Sequence, residues 1–220
     1  MIVVLGGHSS GLLVADSIER LRSTGSVDLE VGGFLNDEMD PGDGVGRFPV
    51  LGGFERWIDL SVDVRFIAAF PLPGAAEQRH SRLLSLGIPR DRFRTVCDPA
   101  AIISPTASIG TGCYIAPGVV VEHGAVVAAH SILRAHAYIS HDARVGEFAF
   151  IGPHVTLLGR TTFGQGVHVG GNSVVREGIK VGNYALVGIG STVIRDVSDH
   201  EVVAGSPAKV LPARTGADHD

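Results

Sequence analysis

A six-residue repeat in the second half of the chain constrains its fold more than any other feature. Every sixth residue from Ile103 to Val193 is large and apolar. Four residues after each of these, from Ala107 to Val197, lies a second column of mostly small residues. A period this regular and this long is typical of repeat architectures, in which each unit stacks on its neighbours and a continuous apolar interior runs through the stack.

The repeat predicts a triangular coil of parallel β-strands. Each hexad supplies one short strand and one corner, so three hexads complete a turn and residues 18 apart stack on each other at the usual strand spacing of about 4.8 Å. The large residues fill the interior and the small ones let the chain bend. Because no hexad is interrupted, we expect no long loop to leave the coil.

The first half of the chain follows a different pattern. Short β-branched runs alternate with helical stretches, which predicts a small α/β unit with a short parallel sheet. The composition changes near residues 98 and 99, so we place an α/β domain at 1–98 and the coil domain at 99–220. The expected elements cover residues 2–6, 11–23, 29–37, 65–70, 77–87 and 93–97.

Charge and composition exclude several classes of partner. The net charge is −5, and acidic and basic residues are scattered without a basic patch, so neither nucleic acid nor a membrane surface is expected as a partner. The apolar start of the chain is too short for a signal sequence or a membrane span. Cys97 and Cys113 form neither a CxxC pair nor a metal-ligand spacing. We therefore expect a protein of the reducing cytoplasm.

The 18-residue turn stacks several histidines. His141 lies one turn above His123, and Gly159 continues that column, while His136 and His154 form a second pair. These positions face outward near corners of the coil. A histidine on a solvated coil face is more often structural than functional, so His130 and His168 also carry no role on their own.

His141 differs from the others in its acidic neighbours. Transfer of an acyl group from a thioester needs a base with a pKa near neutrality, which histidine supplies, and a donor for the developing oxyanion. Asp142 follows His141 directly, and Glu122 lies one turn below. Either carboxylate could orient the ring. The N–H of Gly159, which no side chain obstructs, is a candidate oxyanion donor.

Residues 138–170 and the tail at 202–209, VVAGSPAK, resemble the bacterial sugar acetyltransferases of the sialic-acid O-acetyltransferase and UDP-bacillosamine N-acetyltransferase type. In that hexapeptide-repeat family an α/β domain with a glycine-rich turn also precedes the coil. The resemblance implies a left-handed coil, a homotrimer, His141 as general base assisted by Asp142, and acetyl-CoA as cosubstrate in the groove between coils, with no metal. The implied acetyl-CoA contacts are Gly159, Gly188, Gly205, Pro207 and Lys209.

The acceptor is expected to bind the α/β domain. The turn GGHSSG at 6–11 follows a strand and opens a helix, where backbone N–H groups can bind a phosphate. Ligands of open α/β sheets bind at the carboxyl ends of the strands. The family resemblance implies a sugar or nucleotide-sugar site, with Gly7, His8 and Ser9 near the phosphates or sugar and Asn36 and Asp37 near the base or ribose.

Two departures from the family pattern leave alternatives open. Phe150 replaces a histidine often found shortly after the base, and residues 69–73 replace a polar turn by an apolar one rich in proline. The first alternative is a metal-dependent lyase that resembles the γ-class carbonic anhydrases, with His136 and His141 as ligands, although Ala100 stands where a third histidine would be needed. The second is a sugar-binding scaffold without catalysis. The choice between N- and O-acetylation also stays open.

Overall fold

The computed structural model describes residues 1–7, 9–25, 29–69 and 75–212. Its first part is an α/β unit whose five-stranded sheet has the order β3-β4-β2-β1-β5, with β1 parallel to both β2 and β5. The elements are β1 (Ile2–Leu5), α1 (Ser9–Ser23), β2 (Val31–Leu35), β3 (Gly44–Val45), β4 (Phe48–Gly52), β5 (Arg65–Ala68) and α2 (Ala76–Ser85), with 3₁₀ helices at Phe54–Asp59 and Arg90–Arg92.

Two parts of this unit differ from the sequence prediction. The hairpin β3–β4 was not predicted; β4 runs parallel to β2 and extends the sheet on that side. Residues 93–97 were predicted as one strand of the α/β sheet, and this is wrong. Only Phe93 bridges Phe66 of β5, whereas Val96–Cys97 pairs with Tyr114–Ile115 of the coil. Coil pairing therefore begins before the composition changes.

The coil consists of two-residue strands with a corner between each pair. In chain order they are β6 (Val96–Cys97), β7 (Ile102–Ile103), β8 (Ser108–Ile109), β9 (Tyr114–Ile115), β10 (Val120–Val121), β11 (Val126–Val127), β12 (Ile132–Leu133), β13 (Tyr138–Ile139), β14 (Arg144–Val145), β15 (Phe150–Ile151), β16 (Thr156–Leu157), β17 (Thr162–Phe163), β18 (His168–Val169), β19 (Val174–Val175), β20 (Lys180–Val181), β21 (Leu186–Val187) and β22 (Thr192–Val193). A final hairpin, β23 (Val202–Gly205) and β24 (Ala208–Val210), extends one face.

The strands form three faces. Face 1 contains β6, β9, β12, β15, β18, β21, β23 and β24; face 2 contains β7, β10, β13, β16, β19 and β22; face 3 contains β8, β11, β14, β17 and β20. Each strand from β6 to β22 pairs in parallel with its equivalent one turn away, as in Val120 with Tyr138, whereas β24 runs antiparallel to β23. The large residues of the repeat are buried in the interior, except Ile103 and Ile109 in the first turn, which are partly exposed. The predicted fold class, an α/β domain followed by a left-handed parallel β-helix, is confirmed.

Many corners turn on a residue in the left-handed conformation. This conformation is uncommon outside glycine, although aspartate, asparagine and histidine adopt it more readily than most residues. His136, Asp142 and His154 are three of the corner residues with a positive φ, and the φ of Asp142 is 57°. At the corner that follows Ile139, Asp142 adopts this conformation directly after His141.

The α/β unit packs on face 1. From α1, the hydroxyl of Ser17 donates to Asp98 at 2.7 Å, and Tyr114 of face 1 donates to the carbonyl of Leu13 at 2.9 Å. From α2, the ring of His80 stacks on Phe148 at a centroid distance of 3.8 Å. Since the corner between faces 2 and 3 is the one opposite face 1, it lies away from the α/β unit. Within the described residues, no helix has both the length and the apolar composition needed to cross a membrane.

Candidate active site

The centre of the candidate site is a histidine–aspartate pair at the corner between faces 2 and 3. Nδ1 of His141 lies 3.0 Å from Oδ2 of Asp142. The hydrogen bond from the His141 side chain lowers the pKa of the Asp142 carboxyl, so the carboxylate is an acceptor at neutral pH. In the neutral ring, a carboxylate at this position favours the tautomer in which Nδ1 carries the proton and Nε2 carries the free electron pair. The side chain of His141 is one third exposed, so this nitrogen is accessible to a substrate.

Glu122 holds the backbone of this corner, and among the described residues its hydrogen bonds go to groups other than the imidazole. Its Oε2 accepts hydrogen bonds from the Ser140 hydroxyl and from the backbone N–H of His141, both at 2.9 Å, and its Oε1 accepts one from the Tyr138 hydroxyl at 2.5 Å. These bonds, that from Tyr138 first, lower the pKa of the Glu122 carboxyl, and the carboxylate in turn raises the pKa of Tyr138. Of the two acids considered from sequence, Asp142 orients the ring and Glu122 positions the main chain.

Two glycines leave space for the pair. A Cβ atom on Gly159, one turn after His141, would lie 2.5 Å from Nε2, and a Cβ on Gly124, one turn before Asp142, would lie 2.5 Å from Oδ1. The N–H of Gly159 has no acceptor in the described part of the chain, while its carbonyl accepts from Gly178. Nε2 thus lies against the backbone of Gly159, whose N–H is a candidate donor. Gly124 was not identified from sequence, although its spacing of one turn from Asp142 could have revealed it.

His123 lies directly beneath His141. The two imidazole rings are stacked at a centroid distance of 5.5 Å and an angle of 10°. One ring nitrogen of each histidine and one oxygen of Asp142 all lie within 4.8 Å of one another, which makes these three side chains a group able to hold a metal ion. His136, the ligand considered for a carbonic-anhydrase-like site, lies instead at the corner between faces 1 and 2. Within one chain His136 and His141 are not brought together.

The residues predicted to bind acetyl-CoA lie at separate places. Gly159 follows face 2, whereas Gly188 precedes it, so the two occupy opposite edges of that face. The N–H of Gly188 donates to the Val203 carbonyl at 2.8 Å, so Gly188 can offer close approach but no free donor. The tail residues Gly205, Pro207 and Lys209 lie on the hairpin β23–β24, and all three are exposed.

The predicted acceptor residues surround a cavity of about 670 Å³ in the α/β unit. Gly7 and Ser9 lie at the turn into α1, and Asn36 and Asp37 follow β2, so the structure brings these four together. His8 and residues 70–73 lie outside the described residues. A Cβ on Gly7 would lie 2.2 Å from the Ala69 carbonyl oxygen, which accounts for a glycine at this crossing of two strand ends.

Two arginines of α2 were not identified from sequence and line the same cavity. Arg79 and Arg82 are three residues apart and therefore share a helix face. Arg82 donates to Oδ2 of Asp37 at 2.7 Å and to Glu55 at 2.7 Å, and the other oxygen of Asp37 accepts from the Phe54 N–H. The hydrogen bonds that Arg82 donates to Asp37 and Glu55 raise the pKa of Arg82. The amphipathic spacing of residues 77–87 contained this signal.

His130 and His168 of the coil have structural positions. His130 and His168 lie beneath α2 beside a small cavity of about 50 Å³, and burial lowers the pKa of each to about 4. His130 stacks on Phe148 at 4.8 Å. Phe150, the expected replacement of a family histidine, stacks on His168 at 4.5 Å. Phe150 belongs to face 1, so within one chain it does not adjoin His141.

One of the sequence relatives of this chain is a sugar N-acetyltransferase. No family model matches the sequence. Over 53 residues, or 24% of this chain, the sequence is 43% identical to the dTDP-3-amino-3,6-dideoxy-alpha-D-galactopyranose 3-N-acetyltransferase of Aneurinibacillus thermoaerophilus. That match spans 28% of the length of the curated relative, so it concerns a segment and not the whole protein.

Solved structures match over nearly the entire chain. PerB from Caulobacter crescentus, in complex with CoA and GDP-perosamine, has a TM-score of 0.81 and 26% identity, covering 96% of this chain and 97% of PerB. The acetyltransferase domain of PglB from Neisseria gonorrhoeae FA1090, in complex with acetyl coenzyme A, has a TM-score of 0.80 and 29% identity, covering 96% and 98%. The resemblance of this chain to the hexapeptide-repeat sugar acetyltransferases, inferred from its sequence, is therefore confirmed over nearly its entire length.

Proposed function

We propose that this protein transfers an acetyl group from acetyl-CoA to an amino or hydroxyl group of a nucleotide-activated sugar, with His141 as the general base. One observation carries the proposal: His141 is oriented by Asp142 at 3.0 Å, and its Nε2 lies against the backbone of Gly159, whose N–H has no acceptor among the described residues. A base and a neighbouring backbone donor are what acyl transfer from a thioester requires. The likeness to PerB and PglB supports acetyl-CoA and a sugar as substrates.

The proposed chemistry uses three groups of the corner. Nε2 of His141 takes the proton of the acceptor amine or hydroxyl as its heteroatom attacks the thioester carbonyl. Asp142 stabilises the imidazolium that forms, since its carboxylate faces the Nδ1 proton. The N–H of Gly159 donates to the oxyanion of the tetrahedral intermediate. When the intermediate collapses, the thiolate of CoA leaves and takes the proton back from Nε2.

The acceptor would bind the cavity of the α/β unit. Gly7 precedes α1 and Ser9 is its first residue, and the N–H groups and dipole of a helix N-terminus favour a phosphate. Arg79 adds a positive charge to the wall of the same cavity. Asn36 is buried, and its Oδ1 accepts from the Glu38 N–H at 2.8 Å, so it is a rigid part of the wall. These features fit a diphosphate with an attached sugar and nucleoside.

The position of the cavity supports a site shared between copies of the chain. The α/β unit covers face 1, whereas His141 lies at the opposite corner. An acceptor held in the cavity of one chain would therefore face the coil of another copy, not the His141 of its own chain. Closed rings of identical subunits create such contacts, and a homotrimer fits a three-faced coil. Acetyl-CoA would then lie between coils, with Gly159, Gly188 and the hairpin tail at its edges.

The activity is tested by incubating purified protein with acetyl-CoA and a panel of nucleotide-linked amino sugars and neutral sugars, with detection of the released thiol. We expect acceptor-dependent release for one class of sugar. His141→Asn should lower kcat/KM by at least about 100-fold, because a general base contributes on the order of 10² to 10⁴. His154→Asn, at another exposed corner, is the matched control and should retain activity. Full activity of His141→Asn would exclude His141 as the base.

The shared site is tested with mixed oligomers. His141→Asn lacks the base, and Arg79→Glu should impair the acceptor cavity. If each site combines one coil with the cavity of a neighbour, co-expressed chains should regain up to about a quarter of the activity by random pairing. A site within one chain would leave the mixture as inactive as the two separate variants.

A further inference from the structure

His123 has no part in the proposed reaction, yet it stacks directly against the candidate base. Its ring is exposed and lies 5.5 Å from that of His141 at an angle of 10°. One nitrogen of each ring and one oxygen of Asp142 lie within 4.8 Å of one another. Two imidazoles and a carboxylate that converge on one point of the surface are the donor set of an open zinc site, which leaves a fourth position for water.

We propose that His123, His141 and Asp142 bind a divalent first-row transition metal, with Zn²⁺ as its representative, and that the bound metal inhibits the enzyme. Imidazole nitrogen favours Zn²⁺, Cu²⁺ and Ni²⁺ over Mg²⁺ or Ca²⁺, which prefer oxygen ligands only. The metal is an inhibitor in this proposal, and acetyl transfer does not require it.

The geometry needs only a small side-chain adjustment. Zinc is held at about 2.0–2.2 Å from nitrogen and carboxylate oxygen in a tetrahedral arrangement, so its ligand atoms lie roughly 3.3 Å apart. Nδ1 of His141 and Oδ2 of Asp142 are already 3.0 Å apart. The exposed ring of His123 can rotate towards them, because its position is not fixed by burial.

The main chain of the site is held in place. Asp142 donates its N–H to the His123 carbonyl at 3.1 Å, and His141 donates its N–H to Glu122 at 2.9 Å. The two turns that carry the ligands are therefore joined by hydrogen bonds before any metal arrives. Little backbone reorganisation would accompany binding, which favours affinity.

The local charge favours a dication. The carboxylates of Glu122 and Asp142 flank the histidines on adjacent turns. Apart from His141 and His123 themselves, Arg160 is the cation that acts on Asp142, but its guanidinium forms an ion pair with Glu177 one turn further on. The corner thus has an excess of negative charge, and a metal ion would reduce the repulsion between its carboxylates.

A second histidine stack in the same coil offers an internal control. His136 and His154 are stacked at 4.9 Å and 15°, also at an exposed corner. In the described part of the chain, a third ligand of suitable type completes the group at His123 and His141 but not at this second pair. Stacked histidines alone therefore do not define the site, and Asp142 makes the difference.

Metal binding would block the base directly. The metal takes an electron pair from Nδ1 of His141 and one from Asp142, so the hydrogen bond that orients the imidazole cannot persist. The ring proton moves from Nδ1 to Nε2, and a ring protonated there cannot act as the base. No covalent or redox change is involved, and a chelator reverses the effect. The inhibition rests on the proposed function, whereas the binding does not.

Binding is measured by isothermal titration of ZnCl₂ into the purified chain without a polyhistidine tag and without substrates. We expect a single Zn²⁺ per chain in the wild type, at least tenfold weaker binding in His123→Asn and Asp142→Asn, and unchanged binding in His136→Asn. Undetectable binding in the wild type, or equal affinity in His123→Asn, would overturn the site. An equal loss in His136→Asn would show that any stacked histidine serves, which also overturns it.

Inhibition is measured by quantifying the acetylated product, because Zn²⁺ also binds the thiol of CoA. With a chelator present, His123→Asn should match the wild-type rate within about twofold, since His123 takes no part in acyl transfer. Half-inhibition of this variant should need at least tenfold more Zn²⁺. Inhibition at the wild-type concentration would overturn the inhibitory role. If no variant acetylates any acceptor, the proposed function fails, and the titration still decides the metal site.

Discussion

Nε2 of His141 lies only 2.5 Å from the point where Gly159 would carry a Cβ atom. The imidazole of the candidate base thus occupies the volume that a side chain one turn later would fill. Real Cβ atoms do not approach other atoms this closely, so a larger residue at 159 would displace the ring. Since the backbone positions of successive turns are fixed by strand pairing, the ring is the part that has to move.

Gly159→Ala should therefore reduce activity without unfolding the coil. Displacement of the ring by about 1 Å breaks its alignment with Asp142, and misplacement of this size can cost on the order of 100-fold in rate. The Gly159 carbonyl keeps its bond to Gly178, so the melting temperature should change by less than about 4 °C. Gly44→Ala, where the nearest atom to the new Cβ would be 3.4 Å away, is the control. Unchanged kcat in Gly159→Ala would contradict the crowding argument.

Replacing the carboxylate by an amide should have different effects at Asp142 and at Glu122. In Asp142→Asn, the new amide can donate to Nδ1 and hold the imidazole with its proton on Nε2, the tautomer that cannot act as a base. We expect a loss of about 10² to 10⁴ in kcat, as for other base-orienting aspartates. Asparagine tolerates the positive φ of this corner, so folding should be preserved. Steady-state kinetics with a melting curve for each variant provide the measurement.

Glu122→Gln should act mainly through the fold of the corner. The variant keeps one acceptor oxygen but loses the carboxylate that accepts from Tyr138, Ser140 and the His141 N–H. Loss of hydrogen bonds to a charged group costs about 1.5–3 kcal/mol each when the group is buried, and less at a solvated carboxylate such as Glu122. Thermal stability should therefore fall, while kcat falls less than in Asp142→Asn. The opposite ranking, with Glu122→Gln the less active and equally stable variant, would make Glu122 a catalytic group.

The regular repeat determines which parts of the structure could be predicted from the sequence. A coil with an 18-residue turn places residues in three dimensions by counting, so the His141, Asp142 and Gly159 group could be located from the sequence alone. The hairpin β3–β4 could not, because its short strands have no repeat to mark them. His130 and His168 were treated as residues of a solvated face, yet α2 covers them. Docking between domains depends on shape across distant segments, which a period does not report.

The acceptor cavity shows the same limit. Gly7 and Asn36 follow strands and could be placed at one sheet edge by a general rule. Arg79 lies on α2, and its place in the cavity depends on how this helix packs on the sheet. The sequence pattern does not indicate that packing. The cavity therefore has one predicted wall and one wall that only the structure revealed.

Arg79→Ala should weaken acceptor binding selectively. A guanidinium on the cavity wall that contacts a phosphate in both ground state and transition state contributes uniform binding, so its loss raises KM and leaves kcat. We expect KM for the nucleotide sugar to rise about tenfold, with KM for acetyl-CoA unchanged. Arg56→Ala is a suitable control, because Arg56 pairs with Asp59 outside the cavity. A fall in kcat with unchanged KM would place Arg79 nearer the reaction than the proposal allows.

The partly buried histidines beneath α2, His130 and His168, should make stability depend on pH in a defined range. In the unfolded chain a histidine titrates near 6.5, whereas burial lowers the pKa of His130 and of His168 to about 4 in the folded protein. Between these values the unfolded state binds protons that the folded state does not, so the free energy of unfolding decreases as the pH falls from 6.5 to about 4. Above 6.5 the contribution is fully present.

The variants His130→Asn and His168→Asn should each make the free energy of unfolding depend less steeply on pH, and the double variant should reduce the dependence further. Asparagine suits the positive φ at residue 130. The measurement is urea unfolding at several pH values, compared as differences from the wild type so that the titration of carboxylates cancels. If the free energy of unfolding of the variants depends on pH as in the wild type, these imidazoles are accessible to water and α2 does not cover face 1 in solution.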